Sequence, residues 1–98
     1  MILARVAGTV VATRKDPRLE GRKLLILQPV KPDGTPEGSY VIGVDTVSAG
    51  NRELVIAVSG SSARMAEGCK DTPVDTSIIG IVDSVSLDEA PSSARKGK

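Results

Sequence analysis

The sequence is very poor in aromatic residues: among 98 residues there is no phenylalanine, no tryptophan, and Tyr40 is the one tyrosine. The core must therefore be built from valine, isoleucine, leucine and alanine, which suit the inside of a small β-barrel. Few aromatics also disfavour an oligonucleotide-binding barrel, because such surfaces stack bases on aromatic rings.

Histidine is absent, and Cys69 is the one cysteine. The lack of histidine excludes Ser–His and Cys–His catalytic dyads and removes the usual nitrogen ligand of zinc. A lone cysteine cannot form an intrachain disulfide and fits a reducing cytosol. A nucleophilic role for Cys69 would need a lowered pKa, so a passive loop thiol is favoured. We predict no catalytic residue, no metal and no cofactor.

Positive and negative residues nearly cancel in this sequence. Residues 1–87 contain ten Lys or Arg and ten Asp or Glu, and the net charge of +1 comes from residues 88–98. A neutral globular part argues against binding to nucleic acid or to a membrane surface. No run approaches the roughly 20 apolar residues of a membrane span, and the N-terminus lacks the apolar run of a signal peptide.

Apolar residues alternate with polar ones in several short runs, which is the pattern of β-strands. The runs are separated by a predicted turn at Asp33 and Gly34. A short helix with a possible serine N-cap is predicted at residues 61–67. The sequence predicts one all-β domain at residues 1–87 with one short helix, a small Greek-key β-barrel, and a disordered tail at residues 88–98. Periodicity alone leaves a β-sandwich open. The predicted strands cover residues 2–13, 23–28, 39–44, 53–59 and 77–85.

The first and fifth predicted strands are apolar on both faces. In the fifth, Ile79, Ile81 and Val85 alternate with Ile78 and Val82. Strands of this kind need cover on both sides, which one short helix cannot supply. A partner subunit is the economical explanation, and scattered surface apolar residues are the alternative.

The sequence GSSAR at residues 60–64 is the most suggestive anion site, because backbone N–H groups, two hydroxyls and Arg64 could hold a phosphate or carboxylate. The favoured interpretation is a capped helix whose Arg64 pairs with an acid on a neighbouring subunit. That interpretation predicts Ser61, Ser62 and Arg64 at a subunit interface. No GxxxxGK[ST] or GxGxxG sequence is present.

Four acids, Asp45, Glu53, Asp75 and Asp83, could supply a catalytic pair. Nothing in their spacing requires one. Asp45 is instead predicted to fix the following turn by accepting hydrogen bonds from the local backbone. We predict that Asp83 pairs with an arginine or lysine.

Four motifs occur in a fixed order along the chain. Residues 13–21, TRKDPRLEG, fit T-x-K-x-P-x-L-x-G; residues 45–53, DTVSAGNRE, fit D-x-V-G-A-G-x-x-E, with Ser48 in place of a glycine. GSSAR at residues 60–64 and GIVD at residues 80–83 complete the set. Over about residues 2–86, this set resembles the pentameric vertex proteins of bacterial microcompartment shells, the EutN/CcmL family.

The resemblance implies an OB-like barrel that assembles as a homopentamer, plugs the fivefold corners of a polyhedral shell in the bacterial cytoplasm, and contacts hexameric shell proteins. It also implies a narrow hole on the pentamer axis, lined by Ser48, Ala49 and Gly50. Two other functions stay open from the residues: a barrel that binds a small anion or ligand through residues 60–64, and an oligonucleotide-binding barrel, which the composition disfavours.

Overall fold

Five strands make up the barrel in the computed structural model, which describes residues 1–12, 17, 21–60 and 75–88. The barrel closes in the order β1-β2-β3-β5-β4, and only the β3–β5 pair among these neighbours is parallel. The predicted all-β, OB-like barrel is confirmed, and the predicted helix lies outside the described residues. The strands are β1 (Ile2–Val10), β2 (Lys23–Val30), β3 (Val41–Asp45), β4 (Leu54–Ser59) and β5 (Thr76–Ile81).

The barrel interior consists of small aliphatic side chains, as the composition predicts. Alternate residues of β1, β2 and β4 point inward, because successive side chains of a strand lie on opposite faces. Each fully buried Val, Leu or Ile side chain contributes about 1.5–3 kcal/mol relative to an exposed one. The core cluster contains Ala4, Val6, Leu25, Leu27, Ala49, Val55, Ala57 and Ile78.

An irregularity interrupts β1 where the sequence carries a glycine. The pairing of β1 with β2 shifts between Val6, opposite Leu27, and Gly8, opposite Ile26. Ala7 is therefore the extra residue of a β-bulge, which increases the local bend of the strand. A glycine inside a strand pattern already predicts a bend or bulge from the sequence, and this prediction from Gly8 is confirmed. The side chain of Ile26 approaches within 3.4 Å of the position that a Cβ on Gly8 would take.

Strand β2 extends two residues beyond its predicted end and includes Pro29. β2 pairs with β3 only as far as Leu27, whereas its pairing with β1 continues to Val30. At Pro29, β2 pairs with β1 but not with β3. The N–H that proline lacks is therefore tolerated, because the strand has a neighbour on only one side there. Its carbonyl still accepts a hydrogen bond from the Glu37 N–H at 2.8 Å.

Two strands end well before their predicted ends, β1 at Val10 instead of residue 13 and β5 at Ile81 instead of residue 85. β1 stops at Val10, opposite Leu24, and Val11 is 87% exposed. β5 stops at Ile81, and the next residue, Val82, donates a hydrogen bond to the Leu54 carbonyl at 2.8 Å. Leu54 is the first residue of β4, so no further β4 backbone remains to pair with residues 83–85.

Candidate functional site

The turn between β3 and β4 is organised around the buried carboxylate of Asp45, the last residue of β3. This side chain is 1% exposed. Its two oxygens accept hydrogen bonds from the N–H groups of Val47 at 3.0 Å and Ala49 at 2.9 Å. Two donors satisfy the buried charge and define the path of the backbone. The turn-fixing role predicted for Asp45 is confirmed.

Lys23 connects β2 to the same turn. The register places Lys23 opposite Asp45, and its Nζ lies 3.7 Å from Asp45 Oδ2. Nζ also donates a hydrogen bond to the Ala49 carbonyl at 3.2 Å. Half of the Lys23 side chain is exposed, so solvent screens the ion pair and the contact acts mainly to hold the turn against the barrel.

The far end of the turn is held by Glu53 and by β1. Glu53 Oε1 accepts a hydrogen bond from the Gly50 N–H at 2.6 Å. The Arg52 N–H donates to the Val6 carbonyl at 2.9 Å, and the Val6 N–H donates to the Glu53 carbonyl at 2.9 Å. Two carboxylates and one strand therefore hold residues 46–53 from both sides.

Ser48 and Arg52 adopt positive φ angles, +60° and +69°. Left-handed backbone costs a residue with a Cβ roughly 1–2 kcal/mol, so these conformations persist because the surrounding contacts enforce them. At position 52 the carbonyl accepts a hydrogen bond from Arg5 Nη1 at 2.8 Å. Ser48, which replaces the glycine of the D-x-V-G-A-G pattern, therefore has a strained backbone conformation.

The three residues predicted to line an axial hole lie together in this turn, but they differ in accessibility. Ser48 and Gly50 are exposed, whereas Ala49 as a whole is 1% exposed and belongs to the core. Its N–H and carbonyl are hydrogen-bonded to Asp45 and Lys23, so neither its side chain nor its backbone is available to a hole. The predicted interface residues Ser61, Ser62 and Arg64 lie outside the described residues, as does Cys69.

Apolar side chains on the outside of the barrel form a second candidate site. Ile79 and Ile81 of β5 are 38% and 39% exposed. Ile78, on the inner face of the strand, is fully buried in the core. Strand β5 is thus apolar on both faces, as predicted. Ile42 on β3 is 54% exposed and Tyr40 is 65% exposed, an exposure not predicted from the sequence. The spacing of two between Tyr40 and Ile42 was the signal available in the sequence, although Val44, two residues further, is buried.

Two of the four acids have a structural role in the turn between β3 and β4. Asp45 and Glu53 are each occupied by backbone N–H groups of the turn. The Asp75 carbonyl accepts a hydrogen bond from the Gly60 N–H at 2.8 Å, and Asp83 follows β5. Within residues 1–12, 17, 21–60 and 75–88, no group of three or more His, Cys, Asp or Glu side chains is placed to hold a metal ion. No helix in this part of the chain is long and apolar enough to cross a membrane.

Comparison with known proteins identifies relatives along nearly the whole chain. The family described as ethanolamine utilisation protein EutN/carboxysome matches residues 1–83. The carboxysome shell vertex protein CcmL of Gloeobacter violaceus is 42% identical over 96 residues, covering 98% of this chain and 96% of that protein. The microcompartment shell vertex protein GrpN of Rhodospirillum rubrum is 46% identical over 85 residues, covering 87% and 96% of the two chains.

Solved structures agree with the sequence comparison. The structure of Gloeobacter violaceus CcmL superposes with a TM-score of 0.84 at 43% identity, covering 90% of this chain and 91% of the other. The pentameric microcompartment shell protein GrpN superposes with a TM-score of 0.82 at 43% identity, covering 90% of this chain and all of the other. The family expectation raised by the four motifs is confirmed, and the chain belongs to the EutN/CcmL family of shell vertex proteins.

Proposed function

We propose that this protein is a structural component that forms homopentamers and caps the fivefold vertices of a bacterial microcompartment shell. The observation that carries the proposal is the family match over residues 1–83, together with relatives of 42–46% identity that are named shell vertex proteins. The GrpN structure, which covers 90% of this chain, is that of a pentameric shell protein.

The outer surface of the barrel supports self-association. The five strands form a closed order, in which β3 and β5 pair through two residues of each strand. Copies can meet through side chains, and apolar residues such as Ile42, Ile79 and Ile81 are available for that purpose. Burying side chains of this size is the main favourable term in protein association.

A cyclic assembly of this kind is self-limiting, because a head-to-tail contact stops growing when its rotation closes a ring. In the proposed shell, hexameric proteins tile the flat facets and contact the pentamers at the corners. The shell lies in the bacterial cytoplasm, and the pentamer is not an enzyme and binds neither nucleic acid nor membrane. Its role is geometric, since fivefold units supply the curvature that a flat hexagonal layer lacks.

We place the turn at residues 46–53 at the pentamer axis. Its exposed part, at Ser48 and Gly50, would surround the hole, while Ala49 anchors the turn in the core. Support on both sides from Asp45 and Glu53 suits a rim that must keep one shape in five copies.

The mass in solution tests the proposal directly. Five copies of the 10.1 kDa chain weigh about 50 kDa. Native mass spectrometry and light scattering at micromolar protomer concentration should detect this species. Observation of the monomer alone at that concentration would contradict the proposal.

A variant of Arg64 tests the predicted interface. A planar guanidinium can bridge a carboxylate of a neighbouring subunit, and loss of one partner from a buried ion pair costs about 3–5 kcal/mol. Arg64→Ala should therefore weaken the pentamer while circular dichroism shows unchanged strand content, and Arg64→Lys should weaken it less. A variant that stays fully pentameric but loses binding of inorganic phosphate would instead support the anion-binding alternative at residues 60–64.

A further inference from the structure

The peptide bond between Asp33 and Gly34 is open to rearrangement by the aspartate side chain. This is the one Asp–Gly pair in the sequence, and no Asn–Gly pair is present. The backbone nitrogen that follows an aspartate can attack the side-chain carboxyl carbon, and a glycine there has no Cβ to hinder the approach. The aspartates at positions 45, 71 and 75 are instead followed by threonine, which is branched at Cβ.

The rearrangement needs only the protein and water. The Gly34 nitrogen forms a bond to Asp33 Cγ, while the N–H proton and the carboxyl hydroxyl leave as water, which gives a cyclic imide (succinimide). Water then adds to the former backbone carbonyl carbon of Asp33 and breaks its bond to the Gly34 nitrogen. The chain now continues through the Asp33 side chain, as isoaspartate, and nothing has been oxidised or reduced.

The folded turn holds both reacting groups in hydrogen bonds to other partners. The Gly34 N–H donates to the Lys31 carbonyl at 2.8 Å. Asp33 Oδ1 accepts hydrogen bonds from the Thr35 N–H at 3.0 Å and from the Thr35 hydroxyl at 2.8 Å. The Lys31 N–H donates to the Thr35 carbonyl at 2.8 Å and closes the loop. The nitrogen and the carboxyl must leave these partners before they can react with each other.

The charge of the carboxyl acts in the same direction. Its hydroxyl can leave only from the protonated acid, and the hydrogen bonds from the Thr35 N–H and hydroxyl lower the pKa of Asp33. The reactive acid is therefore rarer in the turn than in the unfolded chain. Asp33 is exposed, so the water that opens the imide has access. Protection comes from hydrogen bonds and not from burial.

We infer that Asp33–Gly34 is a site of spontaneous isoaspartate formation, and that the hydrogen-bonded turn at residues 31–35 suppresses the reaction in the folded protein. The reaction proceeds from molecules in which this turn has opened locally. Isoaspartate adds one atom to the backbone, so the Gly34 N–H and the Lys31 carbonyl no longer meet in the same geometry. The reaction takes place within one chain and does not depend on the proposed pentamer.

Ageing of the full chain at neutral pH, in buffer and in guanidinium chloride, tests the inference. Trypsin should release residues 24–52 as one peptide, because Lys31 is followed by proline. Electron-transfer mass spectrometry of this peptide detects isoaspartate at position 33, with Asp45–Thr46 as the hindered internal reference. We expect formation at least about tenfold slower in buffer than in denaturant, because the hydrogen bonds of the turn must break first. Equal rates in the two solutions, or no isoaspartate at position 33 in the denatured chain, would overturn the inference.

Removal of one hydrogen bond tests the role of the turn itself. Thr35→Val removes the hydroxyl that donates to Asp33, so the rate in buffer should rise about two- to tenfold while the rate in denaturant stays unchanged. Thr9→Val is the matched control, since Thr9 lies opposite Leu25, away from the end of β2 that leads into the turn. It should leave both rates within about twofold. A Thr35→Val rate in buffer no higher than that of the wild type overturns the inference.

Asp33→Glu checks the assignment of the site. A glutamate would have to close a larger ring, so the signal at position 33 should disappear in buffer and in denaturant. A rearranged linkage that forms there at the wild-type rate would also overturn the inference.

Discussion

At the residue scale, the least expected feature is the left-handed conformation of Ser48. Its φ of +60° lies where glycine is favoured, and the family pattern carries glycine at this position. The Asp45 carboxylate holds the N–H groups on both sides of Ser48, those of Val47 and Ala49, so the backbone between them has little freedom. The positive φ of Ser48 therefore results from the hydrogen bonds to Asp45 and not from an intrinsic preference of serine.

Replacing Ser48 should consequently stabilise the protein. Ser48→Gly removes a backbone strain of about 1–2 kcal/mol from the folded state. It also raises the conformational entropy of the unfolded chain, which lowers stability by about 0.4–1 kcal/mol. We expect a net gain of about 0–1.6 kcal/mol in the free energy of unfolding, measured by urea denaturation at one protomer concentration. Ser39→Gly, at an exposed position without positive φ, is the control and should lower stability. A loss of stability in both variants would show that strain at Ser48 is not the dominant effect.

Gly43 is required for a different reason, which is close packing. A Cβ at this position would lie 3.1 Å from Leu27 Cδ1 and 3.2 Å from Thr76 Cγ2. Because Leu27 is fully buried, its side chain has little room to move. Gly43→Ala should therefore lower the free energy of unfolding by about 1–3 kcal/mol.

Gly80 offers the matched control for this substitution, since no atom lies within 4 Å of a Cβ built there. Gly80→Ala should change stability by less than about 1 kcal/mol, in either direction. Urea denaturation of the two variants at equal protomer concentration makes the comparison. Equal losses would mean that crowding against Leu27 and Thr76 is not the cause at Gly43.

At the scale of elements, the ends of β5 and β2 depend on the strands beside them. β5 stops because β4 begins at Leu54, and β2 continues through Pro29 because β1 still lies beside it. The connection between β2 and β3 has its own organisation. Asp33 Oδ1 accepts hydrogen bonds from the Thr35 N–H at 3.0 Å and from its hydroxyl at 2.8 Å, and Gly34 has a φ of +93°.

This turn should respond to acid in a defined direction. The hydrogen bond from the Thr35 backbone N–H, followed by the one from its hydroxyl, lowers the pKa of Asp33 below its ordinary value of 3.8. A lowered folded-state pKa means that the ionised carboxylate favours the turn above the ordinary value, and that this contribution is lost as the pH falls through the folded-state pKa.

An NMR titration of the Asp33 carboxyl should therefore show a midpoint below 3.8, and the Thr35 amide shift should follow the same midpoint. Thr35→Val removes the hydroxyl but keeps the N–H, so the midpoint should move part of the way back. A wild-type midpoint at or above the ordinary value would contradict the hydrogen-bond assignment.

At the scale of the whole molecule, apolar residues divide between an aliphatic interior and an exterior that a monomer leaves in water. The interior includes Leu25, Leu27 and Ile78, and the exterior includes Ile42 and Ile79. In the proposed pentamer, we expect part of this exterior to lie at the contact between subunits, which agrees with the family assignment.

Residues 88–98 should be dispensable for that assembly. Their sequence contains no apolar face, and Pro91 and Gly97 oppose regular structure. Deletion after Leu87 should leave the melting temperature and the pentamer mass nearly unchanged in calorimetry and native mass spectrometry. A loss of several degrees would show that the tail docks.

Some features were predictable from the sequence because their causes are local. Alternation located the core of every strand, Gly8 indicated the bulge, and the position of Asp45 before a turn indicated its backbone hydrogen bonds. Motif spacing indicated the family, since TRKDPRLEG, DTVSAGNRE, GSSAR and GIVD recur in one order. These inferences needed only neighbours within a few residues.

Other features were decided by the tertiary structure, because they depend on residues distant in the sequence. The end of β5 is determined by Leu54, the continuation of β2 through Pro29 by Ala4, and the constraint on Gly43 by Thr76. The salt bridge between Lys23 and Asp45 exists only because β2 and β3 pair in one register. The sequence thus determined which segments form strands and which family they build, whereas the closure of the barrel decided where each strand ends and which apolar side chains face outward.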